Sequence, residues 1–572
     1  MKRPTSRQVS QSLVLLLAIG YFGFCVWNSA LLEPLPIQQD YILALTACTV
    51  GMIAFASGRL TFALVFGGTL FFGLKFLSVV KFQYLQSPLM PADFVYFVRA
   101  SLLETLKHYP HLYAVLAAVC VAVPVVLYGI WRFDFRFPPH RRWLHAGWRA
   151  AGAASSALAV LWCLQPAGPF AAVYPADPWH ALENNAQLTG FFVAIHDMQP
   201  VLPAMSDDAT AQQDWASTTK DPAPTVNAAS TDPDIIQVLE ESTFDPTELA
   251  ACTIPQCRAK MFQPDQYTRA HGPLRTHTFG GQTWVSEFAV FSGMPQDIFG
   301  PAGMYAPFIL APRLRDSLPQ LLRRIGYLTI AVYPTGGDFL NARNAYAAYG
   351  FDKFYDSAAL GLQTWHTTDE RMFAEAKRIY DENKKPGQPI FMMILTLEQH
   401  GPHDIKPLKD LPEPFDRGLL PDLPADLELN LSTYLSRLRD SDQAMTQLER
   451  DFLHRAQPTV IVHFGDHLPS FGGLIRGMPR TLPPALEPYR NDLTYFMLKS
   501  NFEEPPLPAY PMLDIAYLPV MVLRAAGLPE DPYFAALSEL ESRCQGLYDE
   551  CRNAAQLKSY YGWIFNHLHI MN

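Results

Sequence analysis

The chain has 572 residues, of which 49% are hydrophobic, and a formal net charge of −10. This length exceeds what one ordinary hydrophobic core accommodates, so at least two domains are expected. The acidic balance and the lack of a lysine and arginine stripe argue against nucleic acid as a partner.

Five apolar runs occupy residues 1–170 and predict a transmembrane domain of five helices. They start at Ser12, Tyr41, Leu60, His111 and Ala150. Most approach the roughly 20 residues that span a bilayer as a helix, and the last run is the shortest and weakest. The first run is too long for a signal peptide, lacks a small-residue cleavage site and is followed by further spans.

Basic residues lie in alternate loops between these runs. A basic cluster precedes the first run, Arg59 separates the second from the third, and five arginines from Arg132 to Arg149 precede the fifth. The positive-inside rule assigns these loops to the cytoplasm. Because the number of predicted spans is odd, everything after the fifth run is expected on the opposite side of the membrane.

The eight cysteines divide between the two parts of the chain. Four lie in the apolar runs, where they are expected to act as small hydrophobic residues. The others form two close pairs, Cys252 with Cys257 and Cys544 with Cys551. Such pairs outside the cytoplasm favour local disulfides, and neither pair has the two-residue gap of a zinc knuckle. The sequence therefore predicts two structural bridges in an oxidising compartment.

Residues 171–233 are predicted to form a juxtamembrane helix and a flexible linker. The first part mixes aromatic and polar residues, as in a helix that lies at a membrane surface. The second part is rich in Ala, Ser, Thr, Pro and Asp, a composition typical of mobile linkers.

Residues 234–572 are predicted to form an α/β domain. Short apolar or β-branched runs such as "IIQVL", "PIFMMILTL" and "TVIVHF" alternate with helical stretches. This alternation indicates a mainly parallel central sheet covered on both faces. In such sheets ligands bind beyond the carboxyl ends of the strands, so the site is expected there.

Polar side chains follow three of the predicted strands. They are Glu240 and Glu241, Asp466 and His467, and Glu398, His400 and His403. Taken singly, each set reads as ordinary loop residues, but three such strand ends in one domain favour a site. Carboxylates together with an imidazole suit zinc or manganese. Gly465 is expected to give the backbone the freedom to turn both Asp466 and His467 towards one ion.

The stretch "GGQTWVSEF" contains a candidate nucleophile, Thr283. The simplest interpretation is a turn before a helix, with Thr283 as the N-cap and Glu287 as an acidic residue of the first turn. A metal site at the strand ends has an open position that a nucleophile fills. A threonine hydroxyl is a weak nucleophile unless a metal ion or a base activates it.

The motifs "LEES", "GGQTWVSEF", "TLEQHGPH" and "FGDHLP", in this order behind the spans, resemble the lipoteichoic acid synthase branch of the alkaline phosphatase and sulfatase superfamily. That branch includes phosphoglycerol transferases, and phosphoethanolamine transferases are close relatives. The resemblance implies that Thr283 is a metal-bound nucleophile. It also implies that Glu241, rather than Glu240, joins Asp466 and His467 as ligands of one divalent ion, manganese or zinc. A histidine near the bound headgroup corresponds to His400.

One region departs from the family pattern. Members that bind glycerol phosphate resemble "His-Gly-Asp … Phe-Trp-Asn-Arg", whereas this chain reads "YPTGGDFLNARN". The histidine becomes Tyr333, the tryptophan becomes Leu340, and the arginine position is Ala342, with Arg343 one place later. Arg343 is expected either to reach the substrate phosphate or to be a solvated surface residue.

The resemblance implies a multi-pass enzyme of the bacterial inner membrane with its catalytic domain outside the cytoplasm. It would transfer phosphoglycerol from phosphatidylglycerol, through an intermediate on Thr283, to a hydroxyl of a periplasmic or cell-surface glycan or glycolipid. Transfer of phosphoethanolamine to lipid A or a glycan is the close alternative. A sulfatase is disfavoured because its nucleophile resembles Cys or Ser followed by x-Pro-x-Arg. A non-catalytic membrane sensor or scaffold is the alternative from another class.

Overall fold

The computed structural model describes residues 6–98, 111–134, 142–174, 186–218, 232–503, 506–548, 551 and 553–571. The chain forms two compact units, Met1–Gln199 and Pro200–Asn572. The boundary between the units falls within the segment 171–233 that the sequence predicts to be juxtamembrane helix and linker.

The described part of the first unit is helical. Its helices include α1 (Ser6–Asn28), α2 (Pro36–Ser57), α3 (Leu60–Leu85), α4 (His111–Phe133), α5 (Arg142–Cys163) and α6 (Gln187–Val193). Among the described residues, the stretches long and apolar enough to cross a membrane are Gln11–Leu32, Pro36–Ser57, Leu60–Gln83 and Leu116–Phe133. The fifth predicted span corresponds to α5, which carries Arg142 and Arg149 and is not among them. The count of five spans is therefore not confirmed.

A buried ion pair connects the helices of the first unit. Glu33, which lies between α1 and α2, is buried, and its Oε1 atom lies 3.2 Å from Nζ of Lys75 in α3. The same carboxylate accepts hydrogen bonds of 3.1 Å from the backbone N–H groups of Leu188 and Thr189 in α6. Because a buried charge needs both a partner and hydrogen bonds, these contacts hold α6 to the other helices.

An eight-stranded sheet forms the centre of the second unit. Its strands are β1 (Asp234–Glu240), β2 (Thr268–Arg275), β3 (Leu328–Val332), β4 (Lys353–Tyr355), β5 (Ile390–Leu395), β6 (Thr459–Gly465), β7 (Leu493–Ser500) and β8 (Leu513–Asp514). The order across the sheet is β4-β3-β5-β1-β6-β7-β2-β8. All neighbouring pairs are parallel except those that β7 makes with β6 and β2, so the predicted mainly parallel sheet is confirmed.

The continuous apolar runs become the buried central strands. Every residue of β1, β5 and β6 is buried, because helices cover both faces of a parallel sheet. The described helices of this unit are α7 (Ala209–Thr218), α8 (Thr283–Ser292), α9 (Ala306–Ile309), α10 (Leu318–Arg324), α11 (Ala342–Tyr349), α12 (Ser357–Leu360), α13 (Asp369–Asn383), α14 (Ala425–Leu453), α15 (Leu518–Ala525), α16 (Pro532–Arg543) and α17 (Ala554–Tyr561). Apolar side chains of α13 and α14 share one core with those of β1, β5 and β6.

Part of the predicted linker is a helix that packs on the second unit. Trp215 of α7 is fully buried, and its Nε1–H group donates a 3.1 Å hydrogen bond to Ser559 Oγ in α17. Gln212 donates to the carbonyl of the same Ser559 at 3.1 Å. The composition of the segment therefore concealed an ordered contact, and the linker residues 219–231 lie outside the described residues.

Both predicted disulfides are present in the second unit. The Cα atoms of Cys252 and Cys257 are 5.8 Å apart, and those of Cys544 and Cys551 are 4.5 Å apart. The remaining four cysteines are free and lie in the first unit, in the apolar helices. This separation of bonded from free cysteines matches the sequence prediction.

Candidate metal and nucleophile site

Three buried side chains meet at the carboxyl ends of β1 and β6. These strands are parallel neighbours in which Glu240 pairs with Gly465, so Glu241 and Asp466 leave the sheet side by side. Each of Glu241, Asp466 and His467 offers one ligand atom, and these atoms lie within 4.8 Å of one another. The structure thus brings together the three side chains that the resemblance assigns to the metal.

The orientation of His467 is fixed by a backbone contact. Its Nδ1 atom lies 2.9 Å from the carbonyl oxygen of Leu468, so Nδ1 carries a proton and Nε2 is the nitrogen that can bind a cation when the ring is neutral. Nε2 is 3.4 Å from Glu241 Oε1 and 3.3 Å from Asp466 Oδ2. Within the described residues neither Nε2 nor this Oδ2 has a hydrogen-bond partner. Buried polar atoms without partners are rare, and a cation between them explains the arrangement.

The charges of the cluster point to the same conclusion. Burial raises the pKa of Asp466 to about 8, with a further contribution from the charge of Glu241. Burial opposes ionisation of Glu241 too, but the neighbouring His467 lowers its pKa. Burial lowers the pKa of His467, whereas the two carboxylates raise it to about 9. Two carboxylates thus compete for one imidazolium in a buried site, and a divalent cation would compensate both charges.

Backbone hydrogen bonds hold the Asp466 carboxylate. Its Oδ1 atom accepts from the N–H groups of Ser242 at 2.7 Å and His467 at 2.8 Å, which leaves Oδ2 directed to the cluster. Gly465 serves a different purpose from the predicted one, since its φ is not positive. A Cβ atom at Gly465 would lie 1.9 Å from the carbonyl oxygen of Thr243. Glycine is required here for the close approach of two chain segments rather than for conformational freedom.

Thr283 is the first residue of α8, and its hydroxyl faces the cluster. Its Oγ1 atom donates a 2.6 Å hydrogen bond to Glu241 Oε2. The predicted N-cap role is wrong, because the N-cap is Gln282, which has a φ of 73° after the glycine pair Gly280–Gly281. Glu287 is not in the first turn; it is buried, and burial raises the pKa of its carboxyl to about 8. The glycine pair therefore turns the chain so that the helix presents Thr283 to the cluster.

Glu240 is the last residue of β1, and its side chain contacts a different group from that of Glu241, as expected for consecutive residues at a strand end. Its Oε2 accepts a 3.0 Å hydrogen bond from Thr396, and its carboxyl lies beside Asp369 of α13. Burial and the charge of Asp369 raise the pKa of Glu240 well above its ordinary value. Glu398 joins the same group by accepting a 2.8 Å hydrogen bond from the N–H group of Asp369. The choice of Glu241 as the ligand agrees with this geometry.

The two predicted histidines after β5 differ in their surroundings. His400 is partly buried, contacts Trp365 with the two rings tilted by 55° and their centroids 4.9 Å apart, and contributes to the low pKa of Glu241. His403 is buried between the rings of Tyr434 and Phe471, with centroids 5.9 Å and 5.1 Å away. Burial lowers the pKa of His403 well below its ordinary value, so it is a neutral packing residue. Of the two, His400 is the histidine whose charge lowers the pKa of Glu241.

Arg343 lies away from the cluster in its described contacts. It belongs to α11, its guanidinium pairs with Asp356, and its Cζ atom lies 5.5 Å from the ring centroid of Phe354. About half of the side chain is exposed. Its assignment to the substrate stays a prediction.

Sequence reasoning missed a further histidine, His277, in the segment that precedes Thr283. His277 follows β2 and is held between two carboxylates, with Nδ1 2.7 Å from Asp297 Oδ2 and Nε2 2.9 Å from Asp514 Oδ2. The search for polar residues that follow predicted strands would have identified His277. It did not, because β2 contains few apolar residues and is only partly buried. This ion-paired histidine anchors the segment that leads to Thr283.

Residues 233–496 match the sulfatase family model. This chain carries a sulfatase-family domain. The match begins next to β1 and ends within β7, so it contains Glu241, Thr283, Asp466 and His467. The superfamily to which the motifs were assigned is thereby confirmed.

Three related proteins are similar to this chain over different shares of its length. An uncharacterized protein of Haemophilus influenzae is 25% identical over 562 residues, which cover 93% of this chain and 96% of that protein. A putative cyclic beta-1,2-glucan modification protein of Rhizobium meliloti is 31% identical over 41% of this chain and 36% of its own length. A lipoteichoic acid synthase of Staphylococcus saprophyticus is 26% identical over 38% of this chain and 33% of its own length. The chain thus spans about a third of each of these two relatives.

A similar solved structure is the phosphoglycerol transferase of Streptococcus pyogenes in complex with sn-glycerol-1-phosphate. It is 18% identical, and the alignment covers 65% of this chain and 99% of that chain with a TM-score of 0.49.

Proposed function

We propose that this protein transfers a phospho-substituent, phosphoglycerol in the first instance, from a membrane phospholipid to a hydroxyl of a glycan or glycolipid. The observation that carries the proposal is the 2.6 Å contact of the Thr283 hydroxyl with Glu241 beside Asp466 and His467. The names of two relatives support it, since one is a lipoteichoic acid synthase and the other is named a putative cyclic beta-1,2-glucan modification protein.

One divalent cation, manganese or zinc, fits the cluster. Glu241, Asp466, His467 and Thr283 would hold it, because the unpartnered Asp466 Oδ2 and His467 Nε2 converge with the Glu241 carboxylate. When bound, such an ion makes a coordinated hydroxyl more acidic and stabilises negative charge on phosphoryl oxygens. Oxygen and nitrogen ligands of this kind are acceptable to both metals.

The chain's own groups provide the remaining chemistry. Thr283 Oγ1 forms a bond to the donor phosphorus while the bond between phosphorus and the lipid glycerol oxygen breaks. The hydroxyl proton passes to Glu241 Oε2, its hydrogen-bond acceptor, and then to the departing lipid alkoxide. The acceptor hydroxyl next attacks the phosphorus, releases Thr283 and returns its proton to Oγ1. The N-terminus of α8 favours the phosphate anion throughout.

We assign the catalytic unit to the outer side of the inner membrane. The two disulfides support this position, because such bonds persist in oxidising compartments. With a cytoplasmic N-terminus, an outer position requires an odd number of crossings. The described residues contain four apolar candidates, so the proposal requires α5 or another segment to cross. Labelling of native membranes with an impermeant thiol reagent after reduction of the disulfides tests the assignment.

Mass spectrometry of the full-length protein tests the reaction. After incubation with phosphatidylglycerol vesicles, we expect a phosphoglycerol adduct on the peptide that contains Thr283. Phosphatidylethanolamine vesicles form the second arm, and an adduct only in that arm would assign the alternative donor. Thr283→Ser keeps the hydroxyl and is expected to retain some activity.

Thr283→Ala is the decisive variant. We expect it to fold and to lose transfer by orders of magnitude, because the other hydroxyl of the motif, that of Ser286, donates a 2.7 Å hydrogen bond to the backbone carbonyl of Asp466 rather than to the Glu241 carboxylate. If Thr283 only stabilised the start of the helix, the Thr283→Ala protein would lose about 1 kcal/mol of stability and keep its turnover. A folded, metal-loaded Thr283→Ala protein with near-normal transfer would refute the proposal.

A further inference from the structure

The loop Phe471–Gly477 follows the candidate ligands Asp466 and His467 in the chain. Two of its side chains, Leu474 and Arg476, are exposed. Phe471, Gly472 and Gly473 all have left-handed φ values, of 47°, 65° and 90°. The loop therefore turns sharply directly after the site, at two positions where glycine is favoured.

Buried and exposed residues alternate along this loop. Phe471 is buried against His403 and Tyr434, and Ile475 is fully buried. These two side chains anchor the loop in the core. Leu474 is 41% exposed, and Arg476 is also exposed. The anchored loop thus presents one apolar side chain and one cation to solvent.

Arg476 lies against the turn that presents the nucleophile. Its Cζ atom is 3.9 Å from the ring centroid of Phe279. The next residue, Gly280, donates a 3.1 Å hydrogen bond to the carbonyl of Leu468, which also receives the Nδ1–H group of His467. The carbonyl of Leu468 therefore links the turn at Phe279 and Gly280 to His467. Arg476 covers the outer side of this turn.

The guanidinium of Arg476 is available for an anion. Burial lowers the pKa of the Arg476 guanidinium, and the charge of Asp492 acts in the opposite direction. In the part of the chain that the structure describes, however, no carboxylate lies within 4.0 Å of this guanidinium. The contact of Cζ with the Phe279 ring positions the guanidinium beside the turn, and the planar fork of a guanidinium suits bidentate contacts with an anion. Arg343, in contrast, is already paired with Asp356.

We propose that the loop Phe471–Gly477 binds the phospholipid donor, with Arg476 on the phosphodiester oxygens and Leu474 on the apolar glycerol and acyl portion. This inference rests on the proposed function and assigns a recognition surface to it. An anionic phosphodiester joined to an apolar chain matches the neighbouring cation and apolar side chain of the loop.

Kinetics with two donor substrates distinguish the contact of Arg476 from that of Leu474. Phosphatidylglycerol in vesicles carries both the phosphodiester and the acyl chains, whereas glycerophosphoglycerol carries only the phosphodiester. We expect Arg476→Ala to lower kcat/KM for both donors by about tenfold or more, mainly through KM, because a bidentate contact to a charged group is lost. Leu474→Ser is expected to raise KM for the vesicle donor alone. Arg476→Lys should recover part of the loss, since it keeps the charge but not the planar fork.

Arg417→Ala is the matched control. Arg417 is an exposed arginine of the same unit that pairs with Glu413, and we expect wild-type kinetics for its alanine variant. All variants should keep their metal content, which shows that the cluster is intact. Equal kcat/KM for Arg476→Ala and wild type with both donors would overturn the inference.

A binding measurement separates this inference from the proposed function. Co-sedimentation of the full-length protein with phosphatidylglycerol vesicles, scored against vesicles of neutral lipid, does not require turnover. If wild type binds but forms no adduct, the proposed reaction fails while the loop is still tested by Arg476→Ala. Weaker binding by Arg476→Ala than by Arg417→Ala supports the inference, and identical binding refutes it.

Discussion

Gly465→Ala is a small substitution that should disturb the site severely. The new Cβ atom would lie 1.9 Å from the carbonyl oxygen of Thr243 and 3.0 Å from the Cβ atom of Thr494. Ordinary van der Waals contact is ~3.4 Å, so the backbone segments that carry Gly465 and Thr243 must separate by about 1.5 Å. Neither contact is with the end of a flexible side chain, so rotation of a side chain cannot relieve the overlap.

The displacement would be transmitted directly to the candidate ligands. Asp466 follows Gly465 in the chain, and its Oδ1 atom accepts the N–H group of Ser242, which adjoins Thr243. Overpacking of this kind costs roughly 1–3 kcal/mol of stability. Misplacement of a reacting group by about 1 Å lowers turnover by roughly 10²-fold. We therefore expect a folded protein with reduced metal occupancy and turnover reduced about 100-fold.

Metal analysis, thermal unfolding and transfer from phosphatidylglycerol test this expectation. Gly562→Ala is the matched control, because its Cβ atom would lie 2.3 Å from the carbonyl oxygen of Ser206, whereas its described contacts do not involve the cluster. The control should lose stability and keep metal and turnover per folded molecule. Wild-type metal occupancy and turnover in Gly465→Ala would show that close approach at this position is not required.

Two further predictions concern histidines. His467→Ala should lose metal and activity together, whereas His400→Ala should lose activity and keep the metal; equal metal loss in elemental analysis of the purified variants would contradict this division of roles. Burial lowers the pKa of His277, but Asp297 and Asp514 raise it well above the ordinary value. Its ion pairs therefore stabilise the fold fully below the unfolded pKa of about 6.5, and this stabilisation is lost as the pH rises through the folded pKa. The difference in Tm between wild type and His277→Gln should shrink progressively as the pH rises above about 6.5, and a constant difference would show that His277 does not titrate against these carboxylates.

The sequence predicted the sheet and the cluster because both follow from local patterns. Continuous apolar runs mark strands that are buried on both faces, and their polar ends must meet at one edge of a parallel sheet. The pairing of Glu240 with Gly465 places Glu241 beside Asp466 as this rule requires. The alternation of side chains along a strand is also consistent with the contact of Glu241, rather than Glu240, with Thr283.

The remaining features depend on contacts between residues far apart in the chain. The function of Gly465 depends on the approach of Thr243, which is more than 200 positions away. The composition of the linker gave no sign that Trp215 would be buried against Ser559. The conformation of Arg343 is determined by Asp356, a partner that the family pattern does not specify. Such contacts have no signature in a single window of sequence.

The packing of α7 against α17 brings the start and the end of the second unit into contact. Trp215, near the start of the unit, is attached to Ser559, near its end, so covalent continuity through residues 219–231 is not the only connection between α7 and the catalytic fold. A protease site inserted between those residues would therefore produce a nicked protein whose fragments remain associated. Release of a soluble catalytic fragment would require Trp215→Ala in addition to the cut.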